Sequence, residues 1–399
     1  MKILYVSEVY YPIVDGGSRA TRKIAISLAK RGHKVFIITA GTKWKEEIQI
    51  DENTIIFKQR AKPFVLMKGY HWTIYPSRRT VNLIEKLSPD VIHVHNPYAL
   101  GFSALWASRK FGIPLIGSNH LLPENFALFS KGTKVLAPIV KKLAWSFLSQ
   151  FYNRCDLVIV PTSTAVKILK ENKVKVKCVA ISNGIEFEKF QHKYKPMHLI
   201  QQFNIPEKPI VMYTGRLSGE KQIDVLIKAI PYIISKVDAH FLICGEGRQK
   251  KYLKNLARKL NVEKNITFIG FLDEHEHALR YKLADVFVMP SLAELQSIVT
   301  LEALASGLPV VAADQYALSE LVHDGKNGYL FKPGSYIELA EKVVKILTNK
   351  ELKEKMGKES INIAKLHDLK NVISQFEKVY EEIIHKRVVP HEEEMVFVK

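Results

Sequence analysis

Short, wholly apolar runs alternate with amphipathic stretches along most of the chain, and the alternation predicts strands and helices in turn. Lys2–Ser7 reads as a strand, 18–31 as an amphipathic helix closed by Gly32, and 34–39 as a second strand, completing a right-handed βαβ unit. Further strands are predicted at 90–95, 114–118 and 156–160, with helices at 100–110 and from Thr162. A polar stretch at 189–208 interrupts the pattern. Strands at 209–214, 241–244, 266–270, 284–289, 309–312 and Gly328–Phe331 follow, with helices at 298–306, 336–348, 350–364 and 369–385. Strands with no polar face are covered on both sides, so the fold class is α/β with parallel sheets. The expected divisions are a domain at 1–190, a second at 191–366, a helix at 367–387 and a tail at 388–399.

One segment breaks the apolar rule. Between Met289 and Ala313 the chain runs through a Pro-Ser turn, Glu294, an apolar helical stretch carrying Glu302, then Gly307 and Pro309 before the next strand. Acidic side chains rarely occupy such surroundings without a partner. A helix that begins at the carboxyl end of a parallel strand aims unpaired N–H groups at the crevice where such sheets bind ligands, and phosphate suits that place. Glu302 follows Glu294 by eight positions, about two helical turns. Structural roles compete with this one: Ser291 and Glu294 have the spacing of a capping box, and Glu302 is also placed to meet a lysine of a neighbouring element.

Composition narrows the choices. The chain has 399 residues, 47% of them hydrophobic, enough for two or three domains with sizeable cores. Three widely spaced cysteines, Cys155, Cys178 and Cys244, suggest reduced thiols in a cytosolic protein and no zinc module. The first residues enter a strand directly, without a signal-peptide pattern, and no apolar run approaches the ~20 residues that span a bilayer. The net charge of +19 calls for an anionic partner. No nucleic-acid-binding motif is present and the lysines are dispersed, so sugar nucleotides and anionic lipid headgroups account for the charge better than nucleic acid.

Other candidates are weaker alone. Gly16 and Gly17 lie between the first strand and helix, where adjacent glycines serve either as a plain turn or as a close approach to a ligand. Arg216 and Lys221 follow the strand at 209–214, an exposed basic pair by spacing but a possible fork for phosphate oxygens. His93 and His95 face the same way on one strand, with nothing nearby to complete a metal site. His120 lies just past a strand's carboxyl end, on the ligand edge. The acids and histidines at 273–277 suggest a helix start more than a metal. Aromatic and basic residues mix at 123–152, including Trp145, Phe147, Lys141 and Lys142, as in segments that lie in a membrane interface. Residues 62–75 offer an acceptor loop on the same terms.

Taken together, these residues resemble the retaining glycosyltransferases of family 4, the glycosyl transferases group 1. Glu294 and Glu302, with Ala303, Ser306, Gly307, Pro309 and Val310, resemble the family's E-x7-E signature, although Gln296 and Ser297 stand where Phe-Gly is commonest. Gly215-Arg216-Leu217 with Lys221 is similar to its G-R-L-x-x-x-K-G loop, with Gln222 in place of the last glycine. Asn183-Gly184-Ile185-Glu186 matches its N-G-[IV]-D element except for the final acid. The resemblance implies the GT-B architecture: two Rossmann-like domains facing across a cleft, with the C-terminal helix crossing back to the first.

It also implies roles. Arg216, Lys221 and the helix opening at Ser297 and Ile298 would clamp the donor pyrophosphate, and Glu302 would take the ribose hydroxyls. Glu294 and His120 would hold the transferred sugar, Gly16 and Gly17 would lie against phosphate and sugar, and Gly245, Phe271 and Leu272 would line the nucleoside. No Asp-x-Asp pair is present to hold a divalent ion, so the resemblance implies a nucleotide sugar as donor and no metal or other cofactor. The runs 118–125 and 294–297 resemble the branch that glucosylates diacylglycerol, which implies a lipid acceptor at an anionic membrane surface, on the cytoplasmic face. A polysaccharide or soluble acceptor, or a non-catalytic sugar-nucleotide-binding subunit, is the alternative.

Overall fold

The structure, a computed structural model, describes residues 1–11, 16–43, 45–63, 71–120, 122–123, 137–192, 194–272 and 274–388. They form two compact units. The described residues of Met1–Leu121, Ile139–Gly184 and Lys370–Lys399 make the first, and those of Leu122–Pro138 and Ile185–Leu369 the second. The division after Gly184 precedes the expected one at 190 because Phe187 and Phe190 are buried in the core of the second unit.

The described residues of the first unit form ten strands, β1 (Lys2–Ser7), β2 (Lys34–Ala40), β3 (Glu47–Asp51), β4 (Thr54–Gln59), β5 (Lys62–Pro63), β6 (His71–Trp72), β7 (Val91–Val94), β8 (Leu115–Ser118), β9 (Leu157–Val160) and β10 (Cys178–Ala180). Eight of them form one sheet in the order β10-β9-β8-β7-β1-β2-β4-β3, parallel except for the β3–β4 pair. Ile3 to Val6 of β1 are completely buried, as expected of a central strand covered on both faces. The β3–β4 hairpin and the helix Arg78–Leu87 were not legible in the sequence pattern. Edge position explains the first: Ile48 and Ile50 of β3 point to solvent, so their alternation marks no core.

Gly16 and Gly17, expected in a loop, are the first two residues of the helix Gly16–Lys30. Their amides thus belong to its N-terminus, where no intrahelical acceptor exists. The C-terminal helix Leu369–Val388 buries Val372, Ile373, Phe376 and Tyr380. Within the first unit it is fixed by Tyr380, whose hydroxyl lies 2.7 Å from that of Tyr5, and by Glu377, which pairs with Arg31 at 3.0 Å and His33 at 2.9 Å.

The second unit is a six-stranded, fully parallel sheet of β11 (Ile210–Thr214), β12 (His240–Cys244), β13 (Ile266–Ile269), β14 (Val286–Met289), β15 (Val310–Ala313) and β16 (Gly328–Phe331). The order is β13-β12-β11-β14-β15-β16, so the direction of winding reverses between β11 and β14. Loops at the carboxyl ends of two such strands diverge and leave a crevice. Arg216 and Lys221 lie on the loop after β11, and Glu294 on the loop after β14. Arg216, Lys221 and Glu294 therefore lie on the two loops that flank this switch point.

Candidate active site

The loop after β11 is held by its neighbour after β12. Gly215 N donates to Cys244 O at 3.0 Å, Leu217 N to Glu246 O at 2.9 Å, and Gln249 N to Leu217 O at 3.0 Å. This contact demands glycine: a β-carbon on Gly245, whose φ is +138°, would fall 2.0 Å from Gly215 O, and one on Gly247 2.2 Å from Leu217 O. Tyr213 props the turn from below, donating its hydroxyl to Arg216 O at 3.0 Å. Leu292 N donates to Glu220 O at 2.9 Å, tying the loop after β14 to the same turn.

Charges are arranged in pairs on this frame. Lys221 Nζ donates to Glu294 Oε1, and their side chains are 15% and 9% exposed, so water screens the pair little. Arg216 is more open, with Nη2 3.6 Å from Oε1 of the buried Glu220, which also accepts from Ser218 Oγ at 2.5 Å. The capping-box alternative for Glu294 fails, because the helix Ile298–Ala305 is capped by Ser297, whose Oγ accepts from Thr300 N at 3.4 Å. Ser291 Oγ instead accepts from Ala293 N.

Among the described residues, Glu302 meets no lysine. Its Oε1 lies 2.9 Å from His277 Nε2, and its Oε2 accepts from the Tyr281 hydroxyl at 2.5 Å. Burial pushes this carboxyl up, but His277, Arg280 and the Tyr281 hydroxyl outweigh it and hold it down at about 2. An ionised carboxylate with one bond on each oxygen retains lone pairs for two further donors. His277, Arg280 and Tyr281 were missed as functional residues, although their spacing places them on one helical face. Leu272 packs against the core of this unit, and Phe271 is 73% exposed.

In the first unit, three histidines stack in a column. His93 and His95 rings lie 4.4 Å apart, and His95 and His120 5.3 Å apart and nearly parallel. His93 binds the Tyr380 hydroxyl and Ser118 Oγ, each at 2.8 Å, so its ring nitrogens are engaged by protein groups. Burial lowers His93 to about 3, with the charge of His120 a lesser cause, and lowers His95 well below the usual range. His95 Nδ1 lies 3.0 Å from His120 Nε2 and 3.2 Å from Thr21 Oγ1, and Thr21 donates to Gly17 O at 2.9 Å. His120 and Gly17 thus meet in one hydrogen-bonded group.

Glu8 was also missed. It follows β1 directly, is buried, and accepts from Thr73 Oγ1 at 2.7 Å and Leu100 N at 2.9 Å. Burial pushes its carboxyl up to about 7 against those hydrogen bonds. Of the segment 123–152, Pro123 and 137–152 are described: in the helix Ala137–Tyr152, Trp145, Leu148, Phe151 and Tyr152 are buried while Ile139, Val140, Leu143 and Phe147 are exposed. Residues 124–136 and 64–70 lie outside the described residues. Among the described residues, no helix is long and apolar enough to cross a membrane, and no group of three or more His, Cys, Asp or Glu is placed to hold a metal.

Two Rossmann-like units, the second with cations and carboxylates on the loops at its switch point, have the GT-B fold. Residues 14–189 match the family described as Glycosyltransferase Family 4 and residues 197–362 that described as Glycosyl transferases group 1, and the chain belongs to these glycosyltransferases. It is 29% identical to an alpha-monoglucosyldiacylglycerol synthase of Streptococcus pneumoniae over 83% of this chain and 75% of that protein. It is 27% identical to the enzyme of the same name from Acholeplasma laidlawii over 97% and 98% of the two chains. Among solved structures, Anabaena HepE in complex with UDP-glucose shares the fold with a TM-score of 0.75 at 19% identity, covering 96% of this chain and 100% of that one.

Proposed function

We propose that the chain transfers a hexose from a nucleotide sugar, UDP-glucose or UDP-galactose by first choice, to a lipid hydroxyl such as that of diacylglycerol, with retention of anomeric configuration. The observation that carries the donor half is the cluster of Arg216, Lys221, Glu294 and the helix opening at Ser297 around the β11/β14 switch point. Two cations and a helix N-terminus suit a pyrophosphate, and they stabilise the charge that develops on it as the glycosidic bond breaks. The ionised Glu302 suits ribose hydroxyls. Glu294 would accept from hydroxyls of the sugar, and the departing phosphate, itself a base, would take the proton of the attacking hydroxyl. No step in this scheme requires a metal.

The acceptor half rests on the two monoglucosyldiacylglycerol synthases that the chain resembles and on the helix Ala137–Tyr152. The helix exposes Ile139, Val140, Leu143 and Phe147 and also carries the exposed Lys141 and Lys142, a combination suited to lying on an anionic leaflet. The test is transfer from a panel of UDP- and GDP-sugars with and without diacylglycerol in mixed micelles. Labelled lipid from one donor is the expected result. Nucleotide release with no lipid product would discard the acceptor, and no turnover of any donor would discard the enzyme.

A further inference from the structure

We infer that Glu294 occupies the place of the donor's phosphate on Lys221 when the site is free, and so discriminates between the intact nucleotide sugar and the diphosphate left after transfer. The inference rests on the nucleotide-sugar reading above. Lys221 Nζ is bonded to Glu294 Oε1 in surroundings that exclude most water, where a charge pair is stronger than on an open surface. A diphosphate arriving at Lys221 must therefore displace a carboxylate.

The carboxylate cannot retreat far. Its loop is bonded on both sides, Leu292 N to Glu220 O at 2.9 Å and Ala317 N to Glu294 O at 3.3 Å. Once phosphate holds Lys221, Glu294 is left as a second anion beside it, and two such anions repel unless hydrogen-bond donors lie between them. The hydroxyls of an attached hexose are such donors. With the sugar present, Glu294 contributes to binding. After transfer it has no hydroxyl to accept from, it reclaims Lys221, and the diphosphate is expelled. One carboxylate thereby favours substrate over product by its sign of interaction alone.

Arg216 differs in a way that sharpens the point. Its side chain is 54% exposed and stands 3.6 Å from the buried Glu220, beyond hydrogen-bond distance, so a phosphate reaches it without breaking a hydrogen bond. The competition is confined to Lys221 and Glu294.

The experiment is calorimetric binding of three probes to the full chain and to Glu294→Gln: the nucleoside diphosphate, inorganic pyrophosphate and the intact nucleotide hexose, with UDP or GDP according to which the wild type binds. Glu294→Ala serves as a second variant, and thermal unfolding of each reports folding. The expected result is about tenfold tighter binding of diphosphate and pyrophosphate, 1.4 kcal/mol, with weaker binding of the nucleotide sugar. If all three probes weaken, stay unchanged or tighten alike in both variants, the inference is overturned while the nucleotide-sugar reading stands. If the wild type binds none of the probes, that reading falls and the inference with it.

Discussion

Glu8 gives the sharpest test of the energetics. Its carboxyl is raised from 4.5 to about 7, so between those values the folded chain keeps a proton that the unfolded chain has released. The stability it supplies is therefore full below pH 4.5 and is lost as pH rises through 7. At 1.36 kcal/mol per pH unit the loss is about 3 kcal/mol. Glu8→Gln removes the ionisation and keeps an acceptor oxygen for Thr73 Oγ1 and Leu100 N; the new amide lies near Thr73 N, which is 3.4 Å from Glu8 Oε2. That last contact costs about 1 kcal/mol, as an unsatisfied donor does. The variant should thus be slightly less stable than wild type at about pH 4.5 and more stable by about 2 kcal/mol at pH 8. Urea titrations of both proteins across this range measure the difference, and exchange of the Leu100 amide reports it locally. A wild-type-minus-variant difference that stays constant from pH 4.5 to pH 8 would refute the raised pKa and the buried environment it rests on.

Two further outcomes are expected. Gly247→Ala, whose new methyl would meet Leu217 O at 2.2 Å, should push the Arg216–Lys221 loop aside and lower nucleotide affinity tenfold or more, about 1.4 kcal/mol; calorimetry checks this, and wild-type affinity would mean the loop is not the phosphate site. Leu143→Glu, at a side chain that is 65% exposed, should leave stability within about 0.5 kcal/mol while abolishing sedimentation with anionic phospholipid vesicles. Unchanged sedimentation would remove this helix face from the membrane contact.

The main strands of both units were legible because the central ones are almost wholly apolar: a strand buried on both faces carries a polar side chain only where it is bonded, as His93 is in β7. The β3–β4 hairpin was not, since an edge strand with Ile48 and Ile50 in solvent has no core to declare it. Glu294 and Glu302 stood out because acids in an apolar run are rare. The partners of Glu302 did not. His277, Arg280 and Tyr281 lie on a polar helix where charged residues are ordinary, and only the fold brings His277 and Tyr281 within bonding distance of Glu302 and the charge of Arg280 near it. Glu8 was hidden for a related reason: its partners Thr73 and Leu100 are far along the chain.

The two acids of the signature, alike in sequence, are held in opposite ways. Glu302 sits within the helix Ile298–Ala305, gripped through both oxygens by side chains on 274–283, and its charge is fixed by that surrounding. Glu294 sits on a loop and is paired with one flexible lysine. A rigid carboxylate, held by one bond on each oxygen with lone pairs to spare, is suited to a part of the donor that stays constant through the reaction, the ribose. A carboxylate paired with the lysine proposed to meet the phosphate is suited to the part that departs. The division follows from element type: helices fix a side chain's position to within a rotamer, whereas a loop between β14 and a helix lets one cation exchange partners without moving the sheet.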